Sequence, residues 1–273
     1  MRLDAHQHYW QLENQWTNWP TEDLQAIYKD FLPENLAAHL KKHQIKQSIV
    51  VQAAPTEEET KFLLELADNH QTIAGVVGWL DLADPSFPER FFHYKQHAKF
   101  IGIRPMLQDL SDDRWILRPD VKSNLKILVE NDFPIDLLIY PKHLPSIIEL
   151  LSEFPGLRAV VNHCAKPNIK DQEWATWAEG IAKIAQYPST MCKISGLITE
   201  ADHQTWKPAD IKPYIEHVYH VFGEKRVMFG SDWPVCLLAG TYDDVINIVE
   251  ETIPQDHAAF FGKNAQSFYK VDK

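Results

Sequence analysis

The chain has 273 residues with 27 basic and 38 acidic side chains, so its formal net charge at pH 7 is −11. This charge opposes phosphate backbones and anionic lipid, and it argues against nucleic-acid and membrane-surface partners. Hydrophobic residues make up 45% of the chain and charged residues 24%, which excludes collagen-like and disordered classes. No apolar run approaches the roughly 20 residues that span a bilayer, and we expect no signal peptide.

Short apolar runs rich in β-branched residues recur along the chain, and most of them do not alternate with polar residues. That pattern is typical of parallel strands that are covered on both faces. Eight strands are predicted, at Arg2–Trp10, Gln47–Ala53, Ile73–Leu82, Phe100–Leu107, Phe133–Ile139, Arg158–Cys164, Thr190–Gly196 and Arg226–Pro234.

Helical patterns lie between these strands and after the last one. Thr56 followed by Glu59 indicates a helix start, and Gly223 indicates a helix end. The predicted helices are Pro33–His43, Thr56–Asn69, Ser86–His97, Pro119–Asn131, Lys142–Phe154, Trp174–Gln186, Pro213–Phe222 and Asp243–Thr252, with a further helix near Gln255–Tyr269.

Eight strands that alternate with helices predict a single (β/α)8 TIM barrel, with an extra C-terminal helix and one domain over residues 1–273. The competing fold is an open doubly wound sheet. The first strand of such sheets often leads into a glycine-rich phosphate loop, but here it carries Asp4, His6 and His8 instead. The long segment Gln11–Phe31 is expected to lie over the mouth of the barrel.

Asp4, His6 and His8 are two residues apart on the first strand, so their side chains are expected on one face. In a barrel that face is the interior, and His8 lies near the carboxyl end, where barrel active sites form. Two imidazoles on one wall can begin a metal site or handle protons. A packed histidine beside a solvated one is the alternative reading.

Polar residues also close later strands. His163 ends the sixth strand, and Asp232 follows the apolar run Val227–Gly230 of the eighth. The eighth strand of a closed barrel neighbours the first, so Asp232 is expected to face His6 and His8. There it can bind a metal or act as general base; a turn or helix-cap role is the alternative.

Four further side chains are candidates for substrate binding. Arg104 ends the fourth strand and offers a forked donor, and Lys166 offers a point charge at the mouth. Tyr140 follows the fifth strand and offers a hydroxyl, while Trp233 offers an apolar platform for a sugar face. An ion pair for Arg104, a solvated Lys166 and core packing for the two aromatic residues are the alternatives. The cysteines Cys164, Cys192 and Cys236 show no CxxC spacing, which favours reduced thiols and a cytoplasmic protein.

Four motifs in series resemble the amidohydrolase superfamily, and more narrowly its amidohydrolase-2 branch of sugar lactonases and pyrone-dicarboxylate lactonases. The resemblance covers nearly the whole chain. The motifs are Asp4-x-His6-x-His8, Asn162-His163-Cys164-Ala165-Lys166-Pro167, Lys193-Ile194-Ser195-Gly196-Leu197 and Phe229-Gly230-Ser231-Asp232-Trp233-Pro234.

The resemblance implies a hydrolase that opens the ring of a small-molecule, sugar-derived lactone such as L-fuconolactone or L-rhamnonolactone. Asp232 matches the general base that takes a proton from the attacking water. His6, His8 and His163 match the residues that polarise the lactone carbonyl, either directly or through one divalent metal ion. Zinc is the first candidate for that ion, and Asp232 would be its fourth ligand. Arg104 and Lys166 match positions near the substrate oxygens.

Two departures and two alternatives qualify this implication. The ends of the fourth and fifth strands lack the bridging lysine or extra histidine of dinuclear members, so two metals are not expected, while one metal and none both stay open. A related zinc-dependent decarboxylase would use a similar set of histidines and an aspartate. A barrel that binds a sugar acid without turning it over is the third reading. The sequence does not predict an oligomeric state.

Overall fold

The computed structural model describes residues 1–14, 16, 19–253 and 258–271. Eight parallel strands form one sheet in the order of the chain. The strands are β1 (Arg2–Gln7), β2 (Ile45–Val51), β3 (Ile73–Gly78), β4 (Phe100–Ile103), β5 (Ile135–Leu137), β6 (Ala159–Val161), β7 (Thr190–Ile194) and β8 (Val227–Phe229).

The sheet curves round so that its last strand meets its first. Gln7 bridges Trp233, and the amide of His8 donates to the carbonyl oxygen of Trp233 over 2.7 Å. The amide of Asp232 donates to the carbonyl oxygen of His6 over 2.8 Å. These bonds nearly close the sheet and confirm the predicted (β/α)8 TIM barrel, in which the carboxyl ends of all strands meet at one face.

The helices cover the outside of the barrel because each has one apolar face. On α5, for example, Leu144, Ile147, Leu150 and Leu151 are buried at the spacing of successive helical turns. The helices are α1 (Pro33–Lys42), α2 (Glu57–Asn69), α3 (Phe87–Tyr94), α4 (Pro119–Glu130), α5 (Leu144–Glu153), α6 (Ala175–Ile184), α7 (Pro208–Phe222), α8 (Tyr242–Thr252) and α9 (Asn264–Tyr269).

The C-terminal helix packs into the end of the barrel opposite the strand carboxyl ends. A turn of π-helix at Ala259–Lys263 leads into α9, and Ala265, Phe268 and Tyr269 join the cluster of inward-facing strand side chains that includes Leu3. The predicted additional helix is therefore present from residue 258 onward. Residues 255–257 of that prediction lie outside the described residues.

The structure corrects several predicted boundaries. The third strand ends at Gly78 rather than Leu82, because the amide of Trp79 donates to Thr60 Oγ1 over 2.9 Å, and Leu80 and Leu82 are buried in the loop that follows. Helix α7 begins at Pro208, five residues before the predicted Pro213. The Asp210 side chain accepts a hydrogen bond from the Lys207 amide over 2.8 Å and so caps this earlier start.

Within the described residues, no helix is long and apolar enough to cross a membrane. Cys164, Cys192 and Cys236 are buried and free of disulfide bonds. Their thiols pack in the interior, which is where unmodified cysteines are commonly found.

Candidate active site

Asp232 is the centre of the cluster at the carboxyl ends of the strands. It follows β8 with φ of 55°, a left-handed conformation that turns its side chain toward the barrel axis. Its Oδ1 atom lies 3.3 Å from His8 Nε2 and 3.7 Å from both His6 Nε2 and His163 Nε2. The structure thus brings together the four residues that the sequence predicted as one cluster, from β1, β6 and β8.

Asp4 shares a face of β1 with the histidines but does not join the cluster. Its carboxylate accepts hydrogen bonds from the Ser231 amide over 2.9 Å and from the Tyr242 hydroxyl over 3.0 Å. Burial raises the pKa of Asp4 to about 6. Asp4 therefore holds β1 against the residues that follow β8, and this contact orients both His6 and Asp232.

His8 has one ring edge fixed by the backbone. Its Nδ1 lies 2.7 Å from the carbonyl oxygen of Val51, which only accepts, so Nδ1 carries a proton. Burial lowers the pKa of His8, so the ring is neutral at pH 7 and Nε2 has a lone pair. That lone pair faces Asp232 Oδ1 at 3.3 Å. Two acceptors facing each other at this distance suit a metal ion between them.

His6 lies between two basic side chains. Its Nδ1 is 3.4 Å from Lys193 Nζ, and its Nε2 is 3.4 Å from Arg104 Nη1. Burial, followed by the charge of Lys193, lowers the pKa of His6 well below its usual value. Lys193 is itself fully buried and paired with Asp136 at 2.6 Å. These contacts keep His6 neutral.

His163 is oriented by the turn that follows β7. Its Nδ1 lies 2.9 Å from Ser195 Oγ, and burial lowers its pKa to about 3. Gly196 packs directly on the ring, because a Cβ atom there would lie 2.5 Å from His163 Nδ1. With φ of 60°, Gly196 also adopts a backbone that favours glycine. His163 is therefore a neutral imidazole in a closely fitted position.

The pKa of Asp232 lies below its usual value of 3.8. Burial acts to raise this pKa, and the opposing influence of His163, His8 and Lys166 outweighs it. The carboxylate therefore stays ionised at neutral pH while three neutral imidazoles surround it. This charge pattern suits a base that removes a proton from water.

A cavity of about 450 Å³ opens above Asp232. Its apolar wall includes Met106, Leu138 and Val235. Trp19 and Thr21 of the long loop after β1 also line it, as expected for a loop over the mouth. Among the residues that the structure describes, the lining is His8, Trp19, Thr21, Ala53, Pro55, Arg104, Met106, Gln108, Asp109, Leu138, His163, Lys166, Asp232 and Val235.

Of the four predicted substrate-binding residues, the structure places two on the cavity wall. Arg104 is buried there, with its guanidinium donating to the backbone carbonyl of Gln52, and Lys166 lies there beside Glu200. Tyr140 lies behind Lys166, whose Nζ is 5.3 Å from the centre of the tyrosine ring. Trp233 is buried against Tyr9 and Phe31 and is not part of the cavity wall.

Some contributors to the site had no individual role in the sequence analysis. Ser195 and Gly196 orient His163, Lys193 contacts His6, and Glu200 pairs with Lys166 at 3.5 Å. The first three fall in the motif at the end of β7, and their position at a strand end near the cluster was the available signal. Glu200 lies in a short turn and offers no signal of its own.

Three of the predicted metal ligands are arranged for one ion. Within the described part of the chain, ligand atoms of His6, His8 and Asp232 lie within 4.8 Å of one another. The lone pair of His8 toward Asp232 fits such an ion, because a backbone carbonyl fixes the other ring nitrogen in the manner of metal-binding histidines. His163 lies outside this triad, although its Nε2 is 3.7 Å from Asp232.

Comparison with known proteins agrees with this geometry. Residues 3–271 match the model of a family described as amidohydrolase. Two curated relatives are named L-fucono-1,5-lactonase: one from Burkholderia ambifaria, 38% identical over all of this chain and 96% of its own, and one from Burkholderia multivorans, 35% identical over 92% and 88%. A crystal structure of a Burkholderia multivorans amidohydrolase with bound zinc matches with a TM-score of 0.94 and 33% identity over 99% of each chain.

Proposed function

The chain belongs to the amidohydrolase family, and from that premise we propose that it hydrolyses the ring ester of a neutral sugar lactone. The observation that carries the proposal is the ionised Asp232 carboxylate, held 3.3–3.7 Å from three neutral histidines beneath an open cavity. The two relatives named L-fucono-1,5-lactonase, which align with at least 92% of this chain, support the same reaction. A six-membered lactone of a deoxy sugar is the proposed substrate.

The reaction follows from the roles that the side chains can take. Asp232 accepts a proton from a water molecule as the water oxygen attacks the lactone carbonyl carbon. Negative charge then develops on the carbonyl oxygen. His163 and Arg104 lie on the same cavity wall and are proposed to donate hydrogen bonds to that oxygen. Breaking the bond between the carbonyl carbon and the ring oxygen releases the hydroxy acid.

The cavity also suits the substrate that we propose. Met106, Leu138 and Val235 form an apolar side that fits the methyl group of a deoxy sugar. Gln108, Asp109 and Thr21 offer polar atoms to ring hydroxyls. The described part of the wall carries two cations, Arg104 and Lys166, and two carboxylates, Asp109 and Asp232, so these side chains leave no surplus positive charge for an anionic substrate.

We further propose that the triad can hold one zinc ion through His8 and Asp232, with His6 as the third available ligand. Imidazole nitrogen and carboxylate oxygen are common zinc ligands. When bound, zinc would act as a Lewis acid on the carbonyl oxygen of the lactone. The proposed base remains Asp232, which has a second carboxylate oxygen available.

We also propose the cytoplasm as the compartment of the protein. All three cysteines are unpaired and buried. Free thiols of this kind are usual where glutathione keeps proteins reduced, and rarer in secreted proteins.

Proton release at pH 7 tests the proposed function. Opening a neutral lactone yields an acid with a pKa of about 4, so each turnover releases one proton. The assay uses a panel of aldonolactones with the spontaneous rate subtracted, on chelator-treated protein with and without added zinc. Catalysis on a deoxy-sugar lactone supports the proposal. An inactive panel, together with carbon dioxide release from an aromatic acid, would support the decarboxylase instead.

A further inference from the structure

Ring opening requires a second proton transfer. When the carbonyl carbon expels the ring oxygen, that oxygen departs as an alkoxide unless it receives a proton. An alkoxide is a strong base, and general acids speed such steps by typically 10²–10⁴-fold. Asp232 is the proposed acceptor of the water proton. With a separate donor at the cavity wall, Asp232 would not have to carry that proton across to the ring oxygen.

Few residues at the described cavity wall can donate that proton. Arg104 remains protonated in proteins, and its guanidinium already contacts the Gln52 carbonyl. His163 is already assigned to the carbonyl oxygen, and its Nδ1 lies 2.9 Å from Ser195 Oγ. Lys166 is the remaining cationic side chain of the wall, and its ammonium carries three protons.

The backbone delivers Lys166 to the same wall as His163. The residues His163, Cys164, Ala165 and Lys166 have φ values of 52°, 53°, 61° and 48°, which is a left-handed turn built without glycine. The amide of Lys166 donates to the carbonyl oxygen of His163 over 2.8 Å and closes this turn. Backbone strain of this kind is found mainly where function requires a fixed position.

Two neighbours hold the Lys166 ammonium in place. Glu200 Oε1 lies 3.5 Å from its Nζ, and the ring centre of Tyr140 lies 5.3 Å away. The side chains of Lys166 and Glu200 are only 19% and 17% exposed. The ammonium therefore occupies the cavity edge as a partly buried and oriented donor.

We infer that Lys166 is the general acid of the lactone hydrolysis proposed above and that Glu200 is its positioning residue. As the bond between the carbonyl carbon and the ring oxygen breaks, the ring oxygen takes its electron pair and one proton from Nζ. Asp232 has meanwhile taken one proton from water. Lys166 regains a proton from solvent and Asp232 releases its own, so these two transfers cancel. The carboxylic acid that forms then ionises, and the products are the hydroxy carboxylate and one proton. This inference rests on the proposed lactonase function.

Two substitutions distinguish the positive charge of Lys166 from its ability to donate a proton. In Lys166→Met both are lost, and in Lys166→Arg the charge stays while the donor becomes a far weaker acid. We expect each variant to lower kcat on the aldonolactone by about 10²–10⁴-fold. Lys183→Met removes a lysine paired with Glu179 on the outer surface of α6 and is the matched control. Recovery of the wild-type rate in Lys166→Arg would overturn the inference, since charge alone would then suffice.

A second substrate provides an independent readout. In 3,4-dihydrocoumarin the leaving group is a phenol with a pKa of about 10, which needs much less protonation than an alkoxide. We expect the loss in Lys166→Met to be at least about tenfold smaller on this lactone than on the aldonolactone. Glu200→Gln should show the same dependence on the leaving group with a smaller loss. Equal losses on both lactones would overturn the inference.

Two further arms keep the test decisive. If Lys166→Met fails to fold because Glu200 loses its partner, the double variant Lys166→Met/Glu200→Gln removes both charges and serves in its place. If the wild type does not open dihydrocoumarin, the arginine variant on the aldonolactone decides alone. Wild-type protein without activity on any lactone contradicts the proposed function itself, which is a different result from active protein whose Lys166 variants are unimpaired.

Discussion

At the scale of single residues, Asp232 is the group on which the chemistry depends. Asp232→Asn keeps the side-chain volume and removes the base. We expect kcat on the aldonolactone to fall by about 10²–10⁴-fold, because an amide cannot accept the water proton. Circular dichroism and the thermal unfolding midpoint should stay close to wild type. A variant that retains the wild-type rate would show that another group is the base.

Gly196 permits a sharper test of how closely the cluster is fitted. In Gly196→Ala the new Cβ would lie 2.5 Å from His163 Nδ1 and 3.0 Å from Asp232 Oδ2. Displacement of a catalytic group by 1 Å can cost about 10²-fold, so we expect a loss of that order in kcat. Gly223→Ala is the control, since Gly223 also has a positive φ, of 72°, but a Cβ there meets nothing within 4 Å. Gly223→Ala should lower the free energy of unfolding and leave kcat unchanged. Equal kcat values in the two variants would contradict the close packing of Gly196 on His163.

The titration of the cluster predicts a pH profile. Asp232 acts in its ionised form, and its pKa is below the usual 3.8. His163 has a pKa of about 3 and stays neutral over the same range. We therefore expect that neither Asp232 nor His163 lowers kcat/KM as the pH falls from 8 through the neutral range, and that the loss of the base form occurs only in stronger acid. A pH-stat with the spontaneous rate subtracted measures this. A decline centred near pH 6.5 would point to a histidine as the base.

At the scale of elements, the sequence predicted the eight strands and the positions where polar side chains follow them. His163 and Asp232 were predicted because each ends an apolar run, a local signal. The pairing of Glu200 with Lys166 and the contact between Lys193 and His6 were not predicted. Each of these contacts joins residues from two different strands or the turns after them. The register that brings such residues together is a property of the closed sheet. The start of α7 was predicted late because Pro213 resembles a first-turn proline but lies within the helix.

The packing of α9 gives a prediction about stability. Phe268 is 7% exposed and fills the amino-terminal end of the barrel. Phe268→Ala should lower the free energy of unfolding by about 3–5 kcal/mol, as expected for a buried aromatic side chain. KM should not change, since the cavity lies at the opposite end of the strands. Urea unfolding measures the loss, and Phe92→Ala, at a side chain that is 49% exposed on α3, is the control. A loss no greater than that of the control would show that α9 is loosely packed.

At the scale of the whole molecule, the net charge of −11 acts on every substrate that approaches. The cavity wall balances Arg104 and Lys166 against Asp109 and Asp232, so it does not offset this charge locally.

We expect kcat/KM for a neutral lactone to be independent of ionic strength. A dianionic lactone such as 2-pyrone-4,6-dicarboxylate should be repelled, and its binding should strengthen as salt shortens the Debye length from about 30 Å at 0.01 M to about 10 Å at 0.1 M. The measurement is the inhibition constant of the dianion against the neutral substrate at both salt concentrations. Binding that weakens with salt would instead show that Arg104 and Lys166 form a positive site, and it would move the substrate class from neutral sugar lactones to dicarboxylates.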